Sequence, residues 1–227
     1  MKNSQNRFWQ IDTARGVAIV GMVVYHFLVD IEMLYQIPIG VFEMPLVLLA
    51  RIVATLFIFL LGVAAVIKFE KIKNDGIKRV VLSFGKRAIK IGLWAGVISL
   101  VTYVMFPDNF IFFGILHFMA VSTILMIPVL KWKNNIGLVT LGIMIIALSF
   151  IKQNMVVFNF SSLDYFPLVP WFGVVVLGMV MGRIVKFSKS IKTNFFVKIG
   201  QKSLLIYLLH QPILWGGLWM LKIIILQ

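Results

Sequence analysis

The run RFWQIDTARGVAIVGMVVYHFLVD, from Arg7 to Asp30, is long and apolar enough to cross a bilayer as a helix, yet it carries Arg15, His26 and Asp30. Ionisable groups at such depth are costly, so they face a protein interior or a water-filled cavity and serve function. At about 100° per residue, the step from Arg15 to His26 returns to nearly the same face, about 16 Å along the axis. Asp30 follows His26 at i+4, where side chains on a helix are neighbours. One face of one helix therefore offers a guanidinium near one surface, an imidazole near the middle and a carboxylate farther out. That is a candidate reaction path.

The rest of the chain fits such a setting. Of 227 residues 61% are hydrophobic, with a mean hydropathy of +1.00, where a soluble domain is nearer half apolar. An integral, multi-pass protein of the cell membrane is expected, all-α in class. The net charge of +14 would suit nucleic acid, but the basic residues sit mostly between apolar runs. The positive-inside rule and anionic headgroups explain that pattern, so no nucleic-acid partner is expected. The lack of cysteine excludes disulfides, thiolate catalysis and any Cys-based metal site. Three histidines among scattered acids show no metal-ligand spacing, so no metal is expected. Met1 to Gln10 is polar and no small-residue cleavage site follows the apolar run, so no cleavable signal is expected.

About seven apolar runs approach the roughly 20 residues a span needs. They extend from Thr13 to Leu34, Pro45 to Ile67, Ala88 to Phe106, Phe110 to Leu130, Ile136 to Ile151 (the short one), Leu168 to Val185, and Ser203 to Leu226. So little chain lies between them that one transmembrane bundle over 1–227 is expected, and no internal repeat suggests an inverted-repeat transporter. Lys2 and Arg7 precede the first run. Lys68, Lys71, Lys73, Lys78, Arg79, Lys86 and Arg87 lie between the second and third, and Lys131 and Lys133 follow the fourth. Lys186, Lys189, Lys192, Lys198 and Lys202 separate the sixth from the seventh, while the alternate linkers hold Glu43, Asp108 and Asp164, with Lys152 their only lysine. The bias puts the N-terminus in the cytoplasm and the C-terminus outside. Ile77 to Lys90 mixes basic and apolar residues at helical spacing and reads as a helix lying on the inner interface.

Several polar groups fall at membrane depth. Arg15 has two readings: it snorkels to headgroups beside a cap at Asp12 or Thr13, or it contacts a phosphate. An imidazole beside a carboxylate is the usual base with its orienting group, which makes His26 and Asp30 catalytic candidates. Arg51, with Thr55 at i+4, suits an ion pair with Asp30 or Glu32, or else a hold on the acceptor substrate. His117 has Gly114 at i−3, which permits close approach of a helix or ligand; it reads as a second base candidate or as a satisfied bundle residue. Ser203, Tyr207 and His210 share a stripe. Pro212 withholds a donor from the Leu208 carbonyl beside His210 and Gln211, which predicts a kink and a polar lining for a cavity. Before the sixth run, Pro170 suits a first helical turn, Tyr165 and Trp171 an interfacial belt, and Asp164 an outer vestibule.

Five stretches together resemble the heparan-alpha-glucosaminide N-acetyltransferase family and its small prokaryotic relatives, within the transmembrane acyltransferase superfamily. They are the Arg7–Asp30 run, RIVATLFIFLLGVA from Arg51, FGILHFMAVSTIL from Phe113, DYFPLVPWFGVVVLGMVMG from Asp164 and IGQKSLLIYLLHQPIL from Ile199. They occur in family order and cover most of the chain. The resemblance implies transfer of an acetyl or other short acyl group from cytoplasmic acyl-CoA, acetyl-CoA above all, to a sugar or glycan hydroxyl or amine at the outer face. It implies a membrane-embedded catalytic histidine, which the RG…H pattern of the broader acyltransferases maps onto Arg15-Gly16…His26, with His117 and His210 as the alternatives. No tightly bound cofactor is expected, and a homodimer is compatible with the family although no stretch marks a dimer face. Arg15, Lys86, Arg87, Lys90 and Arg183 lie near the inner surface as candidates for the CoA phosphates, with Arg51, Asp164, Tyr207 and Gln211 as candidates for the acceptor. Without cysteine, direct transfer and an acyl-histidine remain the options.

The competing reading is a transporter of an anion or a proton-coupled solute, which the same intramembrane groups would serve. The lack of repeats and the odd helix count argue against it. A retinal-type receptor is rejected, because the only lysine in the last run, Lys222, lies close to its outer end.

Overall fold

In lipid, backbone polar groups find partners only within the chain, so long apolar runs fold as helices. A computed structural model describes residues 7–152, 162–188 and 194–225, and side chains in these ranges except those of Ile151 and Lys152. Lys2, Lys189 and Lys192, and the side chain of Lys152, lie outside the described residues. The elements are α1 (Trp9–Tyr35), α2 (Leu46–Ile72) with a 3-10 turn (Lys73–Asp75), α3 (Ile77–Met105), α4 (Ile115–Lys131), α5 (Asn135–Lys152), α6 (Leu168–Ile184), α7 (Phe195–Gln201) and α8 (Ser203–Ile225). Among the described residues the only strand-like pairing is one bridge, Phe113 to Tyr165. The protein is all-α.

Four helical segments are long and apolar enough to cross a membrane: Trp9–Tyr35, Leu46–Asp75, Ile77–Met105 and Ser203–Ile225, of 27, 30, 29 and 23 residues. Ile115–Lys131, Asn135–Phe150 and Leu168–Ile184 are shorter and apolar. The seven expected runs are all helical in their cores. α3 and α8 expose large apolar side chains, Leu93 at 68%, Val104 at 73% and Ile225 at 71% among them, as a lipid-facing surface does. The chain is a multi-pass membrane protein.

α1 starts at Trp9 and α2 runs on to Ile72, a turn or so beyond the expected runs, and three departures are larger. Ile77 to Lys90 is not a separate interfacial helix but the first half of α3, since nothing between Lys90 and Ile91 interrupts the ladder. α4 starts at Ile115 rather than Phe110, because Phe113 pairs with Tyr165 and Gly114 is extended. α7 lies in what reads as a linker. It begins where the Asn194 side chain accepts a 2.8 Å hydrogen bond from Val197 N, an N-cap.

The chain divides into two compact units, Met1–Phe57 with Phe187–Gln227, and Ile58–Lys186. In the first, α1 packs on α7 and α8. Gly16 and Gly200 make the α1–α7 crossing, where a Cβ on Gly200 would strike the Asp12 carbonyl and one on Gly16 the Phe196 carbonyl. Ile19, Met22 and Val53 form its core, with Leu49, Phe57, Ile199, Ile206 and Tyr207 packed around them. α1 ends at Tyr35 through Gln36, left-handed at φ 56. The loop beyond is held at the buried Val41, whose N–H donates to Glu32 and whose carbonyl accepts from the Tyr25 hydroxyl. In the second unit α3 packs on α4 and α6 packs on both α4 and α5, around a core that includes Leu138, Val176 and Val180.

Candidate active site

In the first unit α1 and α8 run side by side as a ladder of polar contacts. The His26 and His210 rings meet edge to face, centroids 4.9 Å apart. One turn farther, Gln211 Nε2 donates to Asp30 Oδ1 at 2.7 Å. Beyond that, the Tyr35 hydroxyl donates to the Leu218 carbonyl at 2.9 Å and Lys222 Nζ to the Leu34 carbonyl at 2.7 Å. α8 stays helical through Pro212. Lys222 thus donates to the end of α1.

The hydrogen bonds decide the tautomers. His26 Nδ1 lies 2.9 Å from the Met22 carbonyl, and His210 Nδ1 lies 2.6 Å from the Tyr207 carbonyl. A carbonyl has no proton to give, so in each neutral ring Nδ1 carries the hydrogen and Nε2 the lone pair. His210 is 9% exposed, and its Nε2 is a buried atom without a hydrogen-bond partner. The expected pairing of His26 with Asp30 is not formed: the i−4 carbonyl orients His26, and Asp30 faces Gln211. Tyr207 stacks obliquely on His210 at 5.7 Å. Two neutral imidazoles whose lone pairs sit on Nε2 can accept a proton or attack an acyl carbon.

The expected cations divide. Asp12, 3% exposed, receives Arg7 Nε at 3.1 Å and lies 3.6 Å from Arg15 Nη1. It is therefore an anchor for two guanidiniums as well as an acid in the first turn of α1. Arg51 is exposed and forms no ion pair among the described residues; its carbonyl accepts from Thr55 Oγ1. The expected pairing with Asp30 or Glu32 does not occur, since Glu32 accepts from Val41 N–H.

The second unit holds the remaining candidates. His117 uses both ring nitrogens: Nδ1 accepts from Gly114 N at 3.3 Å, so Nε2 carries the hydrogen and meets Ser99 Oγ at 3.3 Å. Ser99 in turn donates to the Ile111 carbonyl. The close approach that Gly114 permits is used by Asp164, whose Oδ2 accepts from Ile115 N at 2.9 Å. Asp164 thus closes the start of α4, and burial pushes its carboxyl up to about 6 against an Ile115 N–H that favours the ionised form. Ser162 Oγ donates to the Phe110 and Asp164 carbonyls and fixes this corner. Arg183 donates to the Trp132, Leu130 and Val129 carbonyls at 2.6, 3.1 and 3.5 Å, and to Asn135 Oδ1 at 3.3 Å. It caps the C-terminus of α4, whose last carbonyls have no helical partner. Lys86 and Lys90 are exposed on α3, and Arg87 is partly buried.

The structure thus brings together His26, Asp30, Tyr207, His210 and Gln211. What reading the residues missed is the backbone: the Met22 carbonyl takes the orienting role given to Asp30, and the Tyr207 carbonyl orients His210. The only hint in the sequence was the i−3 or i−4 carbonyl that a helical side chain has within reach. No curated protein and no solved structure matches the chain. A family model described as heparan-alpha-glucosaminide N-acetyltransferase, catalytic, matches residues 7–212. The chain therefore belongs to that family and is a membrane acetyltransferase.

Proposed function

We propose that His26 and His210 are the proton-accepting centre for transfer of an acetyl or short acyl group from cytoplasmic acyl-CoA, acetyl-CoA first, to a hydroxyl or amine at the outer face. A sugar or glycan is the favoured acceptor. The observation that carries the reading is the edge-to-face imidazole pair, with both Nδ1 hydrogens tied to backbone carbonyls and both Nε2 lone pairs left for chemistry. The acceptor proton moves to Nε2 as oxygen or nitrogen attacks the thioester carbon. The C–S bond breaks, and CoA leaves as a thiolate that takes up the proton. Two rings this close cannot both be charged cheaply, so one proton at a time occupies the pair. In the acyl-histidine variant one ring carries the acyl group while the other holds the proton.

His117 is set aside because the cap and Ser99 occupy both of its nitrogens. Arg183 is set aside as a phosphate ligand because its donors serve α4. Lys86 and Lys90 remain for the CoA phosphates, on the side that the positive-inside rule makes cytoplasmic. The test is labelled acetyl-CoA supplied to proteoliposomes, with mass spectrometry of what becomes labelled. His26→Ala and His210→Ala should each lower turnover by about 10²- to 10⁴-fold. Near-normal turnover in both would sink the reading, and counterflow without acyl-CoA would point to transport.

A further inference from the structure

Asp30 is 1% exposed, and its hydrogen-bond donor is Gln211 Nε2, on Oδ1. Among the described residues no cationic side chain forms an ion pair with it. On α1, His26 gives its Nδ1 hydrogen to Met22, and Arg15 lies by Asp12, as Arg7 does. On α8, His210 gives its own hydrogen to Tyr207 and Lys222 donates to Leu34. On the part of α2 in this unit, Arg51 is exposed and forms no ion pair among the described residues. A lone buried carboxylate is far costlier than a neutral acid.

Three buried atoms in this stretch have no hydrogen-bond partner: Asp30 Oδ2, Gln211 Oε1 and His210 Nε2. All three are acceptors. The carboxyl and the amide are already joined by one N–H···O bond. A hydrogen on Oδ2 is the single addition that turns the other two oxygens of this couple into donor and acceptor. The amide N–H then gives to one carboxyl oxygen while the other carboxyl oxygen gives to the amide carbonyl.

We propose that Asp30 is an uncharged carboxylic acid whose hydrogen is held by the Gln211 amide. It acts as a positioning residue: the couple fixes the register of α8 against α1 that sets His210 beside His26, and it keeps negative charge away from the imidazoles. A carboxylate at this point would hold a proton on the nearer ring; the acid leaves both Nε2 lone pairs as acceptors. The sequence pattern His26-x-x-x-Asp30 suggests the reverse, an ionised partner for the base.

The test reads a spectrum rather than turnover, so its failure leaves the acetyltransferase reading standing. Infrared spectra of the full chain in lipid nanodiscs at neutral pH are compared for the native protein, Asp30→Asn and Gln211→Leu. The native-minus-Asp30→Asn difference should show loss of one protonated-carboxyl C=O band that shifts in deuterated water. Gln211→Leu, which removes the amide from the couple, should displace or abolish the same band. Asn supplies an N–H where the acid supplies an O–H, so Asp30→Asn should recover the thermal stability that Asp30→Ala loses. Loss of a carboxylate band in place of the acid band, or a band indifferent to Gln211→Leu, would overturn the proposal.

Discussion

Arg183 separates two readings of one cation. As a CoA ligand it would leave the fold intact when removed; as the cap of α4 it would not. Arg183→Met keeps the apolar stem and deletes the guanidinium. Two of its bonds are well formed, 2.6 Å to Trp132 O and 3.1 Å to Leu130 O, while those at 3.3 and 3.5 Å are marginal. Bonds from a charged donor contribute about 1.5–3 kcal/mol each, an upper bound of about 6 kcal/mol for the two. The group is partly open to water at a helix end, so about 2–3 kcal/mol is the working value. For a chain of this size that lowers Tm by about 5–10 °C. The assay is thermal unfolding in detergent beside the KM for acetyl-CoA. A Tm loss with KM within about twofold supports the cap. A tenfold rise in KM with Tm unchanged would refute it and return Arg183 to the phosphates.

Asp164, with its carboxyl raised from 3.8 to about 6, gives a pH dependence of known sign. Since the folded value lies above the unfolded one, stability is full at low pH and is lost as pH rises through about 4 to 6, by at most about 3 kcal/mol. Asp164→Asn retains an acceptor for Ile115 N–H and should flatten Tm against pH over that window; an unchanged slope contradicts the assignment. Lys86→Ala with Lys90→Ala should raise the KM for acetyl-CoA about five- to tenfold, at about 0.5–0.7 kcal/mol per exposed charge, and added salt should shrink the difference. Gly200→Ala forces a methyl against the Asp12 carbonyl and should cost about 1–3 kcal/mol of stability; a Tm at or above the native one would show that α1 and α7 are not in close contact.

The apolar runs were legible because a membrane leaves helix as the only open-ended choice, and the stops at Tyr35 and Met105 carry their own signals in Pro38 and Pro107. The start of α4 was not, since Phe110 to Phe113 is as apolar as the helix that follows. What makes it extended is pairing to residues about 50 positions away, Leu163 N to Asn109 O and Phe166 N to Phe113 O. α7 was missed for the opposite reason: Lys198, with Lys202 just after the helix, read as linker, and the close approach of Gly200 to Asp12 is a tertiary fact. Periodicity put His26 with Asp30 on one face of α1, and His210 on the stripe of α8. Which groups would bond across the two helices depended on their register, which no single-helix pattern contains.

The three histidines show where that limit bites. By residue type they are alike, and the hydrogen on each ring tells them apart. His117 receives a backbone N–H on Nδ1, so its remaining hydrogen points at Ser99 and the ring has no lone pair to offer while the cap holds. His26 and His210 give Nδ1–H to carbonyls one turn back and keep the lone pair on Nε2. The difference follows from place in the helix. At the first turn of α4 the backbone presents unpaired N–H groups, so an imidazole there serves as an acceptor. Within α1 and α8 the nearest free valence is a carbonyl lone pair, so an imidazole there serves as a donor and keeps its lone pair on Nε2. On the proposed reading, a carbonyl one turn back orients each of these two histidines without any carboxylate, and an uncharged Asp30 holds α8 in place.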